Sequence, residues 1–291
     1  AELAMYYAKR LGGDRIEAYR ASARSIAAYN RASEEDLERG LKHGELHVQF
    51  QPVMDIQTNQ IVGAEALMRW THPTRGSVSP DEFVPLAERS GQIEKLGRMA
   101  FEQSAAQARD WMTTFGLPED FFISVNLSPV QLATETLLND MRSLFSQDKE
   151  LAHHLKLEIT ESQVMTNPEH SAHMLQALRD LGLGLALDDF GTGHSSLSYL
   201  HRFPFDTIKI PQPFVKLSEG NGMVQTQVPI IKSIVTLASD LDLMVIAEGV
   251  ESQEELERLR ALNCRYAQGF AFGAAMSGIE FGKQLAAQLK R

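Results

Sequence analysis

The sequence predicts an α/β fold, a (β/α)8 barrel of the TIM type whose first strand runs antiparallel to the rest. Two observations carry this. About eight short apolar segments alternate with segments of helical length along most of the chain. Polar residues then recur where the apolar segments end: Glu65, Asn126, Glu158, Asp188 with Asp189, Lys209, Glu248 and Gln268. In such barrels the chemistry lies where strands pass into loops, so these positions would form one ring of facing side chains.

The elements follow in order. Residues 1–29 read as a helix, a turn at Gly12-Gly13-Asp14, a short strand from Arg15 to Tyr19 and a linker. Ser33 is the expected N-cap of a new helix, with Asp36 three residues on at the capping-box position. Val48 to Met54 is a strand, and the late Pro52 suggests an edge or a barrel end. A turn at Thr58-Asn59 leads to a second strand, Ile61 to Trp70, which would pair antiparallel with the first across the short loop. A helix starts near Ser79-Pro80-Asp81, with proline in its first turn, and a longer one runs from Ile93 to Phe115. Strands are then expected at Phe121–Asn126, Leu155–Thr160, Leu183–Leu187, Thr207–Ile210, Leu243–Ala247 and Arg265–Ala271. Helices fall between them at Pro129–Phe145, Pro168–Leu181, Gly222–Leu241 and Gln253–Leu262, with a last one after Gly278.

Composition narrows the function classes. Of 291 residues, 43% are hydrophobic and 23% charged, an ordinary globular balance. The net charge of -10 and the lack of a Lys/Arg cluster argue against a long nucleic acid as partner. A small anionic ligand is still allowed if bound cations invert the local charge. A single cysteine, Cys264, permits no internal disulfide, and no long apolar span or signal peptide is visible, so a cytosolic setting without membrane contact is expected.

The chain is organised around Leu185-Ala186-Leu187-Asp188-Asp189-Phe190-Gly191-Thr192-Gly193. An apolar strand ends in two aspartates and a glycine loop. Alternation sends the two carboxylates to opposite sides unless the chain bends there. Asp-Asp before a glycine turn can be turn chemistry alone, or a strand end that holds one divalent cation or shares an acid between two. The Asp-Phe-Gly triplet lacks the catalytic loop of a kinase, and Gly191-Thr192-Gly193 lacks the third glycine of a dinucleotide fingerprint. Nine histidines show no zinc spacing, and His153-His154, His170 and His173 read as solvated positions. No nucleophile elbow is present. Four acids facing one another in a confined site would repel strongly, a conflict that magnesium or manganese would remove.

Several motifs carry a family resemblance. Glu65-Ala66-Leu67 within Val62–Trp70, Phe50-Gln51-Pro52, Ser124–Ser128, Leu157–Ser162, the Asp188-Asp189 loop, Ala247–Glu251 and Ala267-Gln268-Gly269 resemble the EAL family of cyclic di-GMP phosphodiesterases, in order, from about Asp36 onward. The resemblance implies hydrolysis of cyclic di-GMP to linear pGpG in bacterial second-messenger signalling. It implies that Glu65, Asn126, Glu158 and Asp188 hold one Mg2+ (or Mn2+), with Asp188 bridging to a second beside Asp189. Lys209 would position or polarise the attacking water and Glu248 would act as general base. Gln51, Leu67 and Arg69 would contact guanine and phosphate, Glu251 and Gln268 would support the pocket, and Glu161 would anchor the Phe190–Ser196 loop. That loop touches the dimer interface in this family, so a homodimer is expected. Residues 4–15 resemble the closing helix and turn of the GGDEF family, a plain N-terminal helix being the other reading; residues 1–32 are thus expected to be the remnant of a preceding domain with a linker, and residues 33–291 the barrel.

One departure stands out. The family commonly reads Lys-Ile-Asp-Arg where this chain has Lys209-Ile210-Pro211-Gln212, so an acid expected to face the site is missing. The alternative to an active enzyme is a weak or inactive receptor for cyclic di-GMP. Retention of Glu65, Glu158, Asp188 and Asp189 favours the enzyme.

Overall fold

A computed structural model describes residues 23–145, 148–192, 202–217 and 224–289. The chain enters on helix α1 (Ala23–His43) and turns into an antiparallel pair, β1 (Leu46–Asp55) and β2 (Gln60–His72), followed by a three-residue strand β3 (Gly76–Val78). Then come α2 (Pro80–Ser90), α3 (Ile93–Phe115), β4 (Phe122–Asn126), α4 (Pro129–Leu132), α5 (Glu135–Phe145) and α6 (Lys149–His153). After β5 (Leu155–Thr160) follow α7 (Glu161–Thr166), α8 (Pro168–Asp180), β6 (Gly184–Asp188), β7 (Thr207–Ile210), α9 (Gln212–Val215) and α10 (Val224–Asp240). β8 (Met244–Ala247), α11 (Gln253–Ala261), β9 (Tyr266–Gln268) and α12 (Gly278–Leu289) complete the order.

The strands run β1-β9-β8-β7-β6-β5-β4-β2, and β1 pairs with β2 to close the ring. β3 hangs on the outer half of β2. Strands β2 and β4 to β9 are mutually parallel where adjacent, and β1 is antiparallel to both of its neighbours. This is the eight-stranded TIM-like barrel expected from the sequence. Pro52 sits where it costs no ladder bond. Its edge faces β9, but that pairing begins only at Val53, and the last bond before it is the Phe50–Met276 bridge.

Two cores support the ring. The larger fills the barrel and the strand–helix layer, from Ile123, Leu157, Leu185 and Ile208 out to Trp111 and Phe281, whose rings stack with centroids 4.8 Å apart. The smaller joins Leu37 of α1, Leu46, Trp70, Val78, Phe83 of α2 and Leu96 around the outer half of β2.

The structure corrects three sequence expectations. Ser33 does not cap a helix: α1 passes through it unbroken, and Asp36 pairs with Arg39 instead of closing a capping box. His154 is not solvated; it is 5% exposed, with Nδ1 2.6 Å from the Phe121 carbonyl. The single helix expected over Pro129–Phe145 is two, because Ser128 and Gln131 close a capping box around a short first helix that stops at Leu132. The strand and turn expected at 12–19 lie outside the described residues, as does most of the 190–196 loop.

Candidate functional site

The strand ends bring most of the expected residues together. Glu65 lies midway along β2, opposite Gln51 in the β1 register. Its Oε1 accepts from Asn126 Nδ2 at 2.7 Å and its Oε2 from Gln268 Nε2 at 2.6 Å. Gln268 Nε2 also reaches Gln51 Oε1 at 3.0 Å, and Gln51 Nε2 donates to the Gly273 carbonyl at 3.1 Å. Strands from both ends of the chain are thereby tied to one carboxylate.

Lys209 of β7 stands at the centre. Its ammonium is 2.5 Å from Glu248 Oε1, 2.7 Å from Glu158 Oε2 and 3.7 Å from Glu65 Oε2, with the side chain 1% exposed. Burial disfavours its charge, but Glu158, Glu248, Glu65 and Asp188 together raise its pKa well above the ordinary lysine value. The acids respond unequally. Burial and the Glu65 charge push Glu158 well above the carboxylate range. Burial pushes Glu248 to about 7 against the pull of Lys209. Glu65 is buried too, yet Lys209 and its two amide donors bring it below the usual value.

Asp188 ends β6 and lines the cavity that opens above Lys209. Asp189 adopts φ 54°, a left-handed conformation that costs a non-glycine residue on the order of 1 kcal/mol. The chain therefore bends at the pair, as strand alternation allowed, and the Asp189 N–H donates to Asp188 Oδ1 at 2.8 Å. Burial and the Asp188 charge raise the Asp189 pKa. Glu161, at the start of α7, accepts from the Gly191 N–H at 3.4 Å.

Above this centre opens a cavity of about 300 Å3, lined by Gln51, Glu65, Asp188, Gln212, Glu248, Gly249, Gln268, Gly269 and Phe270. Gln212 and Phe270 were not singled out from the sequence. Pro211 is not among the lining residues, because β7 ends at Ile210 and alternation ends with it; Pro211 is buried as the first residue of the turn into α9. Glu251 lies outside the cavity and holds Gln212 Nε2 at 2.9 Å and Lys216 Nζ at 3.4 Å. A second cavity of about 380 Å3 flanks the first, between the outer half of β2, α2, α3 and the β4–α4 turn. Leu67 and Arg69 line it, with Asp81, Glu88 and Asn126. Asn126 thus touches both regions. Arg69 donates to the Met68 carbonyl at 3.0 Å and has no ion pair among the described residues, so its charge is available to an anion.

The donor set suits a hard divalent cation. It offers carboxylate and carboxamide oxygens and no soft ligand. Glu158 Oε2 and Gln268 Oε1 are buried without an aligned hydrogen bond. Among the described residues no three acids meet around one point closely enough to hold a cation as they stand. Lys209 supplies the positive charge there instead.

The EAL domain family model matches residues 34–275. MucR of Pseudomonas aeruginosa, a bifunctional diguanylate cyclase/cyclic di-GMP phosphodiesterase, is 35% identical over 95% of this chain and 40% of its own length. NbdA of the same organism, a cyclic di-GMP phosphodiesterase, is 32% identical over 94% of this chain and 34% of its own length. The chain thus spans well under half of these curated relatives. The structure of PaMucR phosphodiesterase in complex with c-di-GMP superposes with a TM-score of 0.80 at 35% identity, covering 86% of this chain and 99% of that one.

Proposed function

The chain belongs to the EAL domain family, and from that premise we propose that it hydrolyses cyclic di-GMP to linear pGpG. The observation that carries the reading is the centre around Lys209: three carboxylates within 4 Å of one buried ammonium, two more at the end of β6, and a cavity of about 300 Å3 above them. A structural ion pair needs one acid, not five.

Glu65, Asn126, Glu158 and Asp188 would hold a divalent cation, Mg2+ or Mn2+, and Asp188 with Asp189 a second. When bound, such cations make water more acidic and neutralise charge on a phosphodiester. The protein's own groups do the rest. Glu248, raised to about 7, takes a proton from the attacking water as its oxygen adds to phosphorus; the P–O bond of the ring breaks, and the departing sugar oxygen takes up a proton from solvent. Lys209 orients that water and offsets the developing negative charge. Gln51 bears on the ligand from the first cavity, and Leu67 and Arg69 from the second. Glu251 acts at one remove, by steadying Gln212.

The proposal extends to a homodimer in a reducing, cytosolic setting. No helix among the described residues is long and apolar enough to cross a membrane. The test is a product assay: with cyclic di-GMP and Mg2+, pGpG should accumulate, and excess chelator should stop it. Tight binding without product would favour the receptor reading. Full activity in chelator would end the cation-dependent one.

A further inference from the structure

We propose that α1 holds the outer half of β2 in register for the ligand, and that Arg39 and Glu45 are the positioning residues through which it does so. The inference rests on the ligand-binding role proposed above for Leu67 and Arg69.

β2 is only partly a barrel strand. Gly63 to Ala66 pair with β4, and the ladder then stops. Leu67, Met68 and Arg69 pair on one edge only, with Gln49, Val48 and His47 of β1. Their other edge faces the 380 Å3 cavity until Trp70 meets Val78 of β3. The residues that would grip the ligand thus lie on an arm that is open on one side, and an open edge yields more easily than a paired one.

Trp70 anchors that arm, and α1 anchors Trp70. The indole is 1% exposed and packs with Leu37 of α1. Its Nε1 donates to Glu45 Oε2 at 3.0 Å. Glu45 Oε1 accepts from Arg39 Nε at 3.3 Å, and Arg39 Nη1 reaches Asp36 Oδ1 at 2.5 Å. The remaining nitrogen, Nη2, lies 2.8 Å from His72 Nε2, two residues beyond Trp70. One guanidinium therefore spans α1, the residue just before β1 and the end of β2. Helix and indole come close: a Cβ at Gly40 would stand 3.0 Å from Trp70 Nε1. The α1 backbone is also held at the α2–α3 corner, where Gln92 Nε2 donates to the Glu34 carbonyl at 3.1 Å. None of these groups touches either cavity, so their effect on the ligand must pass through Arg69 and Leu67.

The experiment compares wild type with Arg39→Glu, Glu45→Gln and the conservative Arg39→Lys. Arg39→Glu should raise KM for cyclic di-GMP about fivefold, with kcat within about twofold, the pattern of lost ligand binding rather than lost chemistry. Hydrogen exchange should quicken over residues 66–72. Glu45→Gln, which keeps an acceptor for the indole, should give a smaller rise, and Arg39→Lys should stay near wild type. Unchanged KM and unchanged exchange in folded Arg39→Glu and Glu45→Gln would overturn the proposal. So would an equal loss of kcat and kcat/KM, which would mean general damage. If wild type neither binds nor hydrolyses cyclic di-GMP, the proposed function falls, and with it the ligand role of the arm; the exchange data then say separately whether α1 stiffens it.

Discussion

Among the described residues the barrel buries two lysines, one near each end, and their surroundings differ in kind. Lys156, near the start of β5, meets Asp206 at 2.6 Å and Thr207 Oγ1, with its ammonium 4.7 Å from the centre of the Phe122 ring. Asp206 is shared with Arg179 at 2.6 Å and accepts from the Leu185 N–H at 3.1 Å. Burial raises its pKa, but Lys156 and these donors outweigh that and hold it low. Each buried group there has its partner: Lys156 has Asp206, and Arg179, whose side chain is exposed, shares that acid from the solvent side. Lys209 at the other end faces Glu65, Glu158 and Glu248, with Asp188 and Asp189 beside them, and the acids are in surplus. A matched buried cluster serves the fold; a mismatched one beside a cavity is poised for something that arrives from outside.

Paired substitutions break the comparison most sharply. Glu248→Gln should lower turnover about 100-fold or more, the scale of losing a general base, while thermal stability holds or rises because one surplus carboxylate is gone. Asp206→Ala should do the reverse. It leaves Lys156 buried without its acid and should cost about 3 kcal/mol in denaturant titration, while the folded fraction keeps its kcat. If Glu248→Gln instead destabilised like Asp206→Ala, the two clusters would be equivalent and the contrast wrong.

A medium-sized effect concerns pH. Glu248 is raised to about 7 and Glu158 is raised well above its ordinary value. In the folded, cation-free protein both hold protons that the unfolded chain releases near 4.5. Their stabilisation is present below that value and is lost as pH rises through the folded values. Glu65, shifted down, acts only below its ordinary value, and Lys209, shifted up, only far above the window. The melting temperature in chelator should therefore fall by several degrees between about pH 5 and pH 8. Mg2+ should restore more stability at the alkaline end, since it competes with those protons. A flat profile in differential scanning calorimetry would mean that the surplus acids are already compensated. Asp206→Ala should leave the slope unchanged.

The smallest effect belongs to Pro211. An aspartate there would add an acid beside the surplus cluster, but from a turn rather than from the cavity wall. Pro211→Asp should lower the half-saturating Mg2+ concentration only about two- to threefold, since one more oxygen ligand strengthens a hard-cation site modestly. Superimposable titrations would show that an acid at position 211 does not bear on the cation site.

How much of this was legible in the sequence depends on how each feature is encoded. Strand-end acids could be read because one strand carries one residue, and the barrel brings equivalent ends together by its symmetry. The bend at Asp189 was foreseen only as a possibility, since a left-handed aspartate has no distinct spelling. Ser33 failed as a cap because the helix begins ten residues earlier, at Ala23, and runs through it, so no free first-turn N–H groups are left there for its hydroxyl to accept from. The second cavity was invisible: Asp81, Arg69 and Asn126 lie on separate elements and share no spacing. Glu251 matched a family motif, yet its partners are Gln212 and Lys216, since the loop after β8 carries it past the rim.

The closure of the ring by β1 has a consequence for how the molecule comes into being. β1 is made early and its second partner last: Val53 must wait for Gln268 and Asp55 for Tyr266. Pairings so distant in sequence carry a heavy loop-closure cost and form late in folding. The contact Gln268 makes to Glu65 and Gln51 belongs to that final step. During synthesis the nascent chain holds nearly all of its acids in place before it can assemble their centre. Whatever chemistry the domain performs therefore waits for Tyr266–Gln268 to be made, and a product cut short before residue 265 would lack the strand that closes the ring and the Gln268 contacts to Glu65 and Gln51.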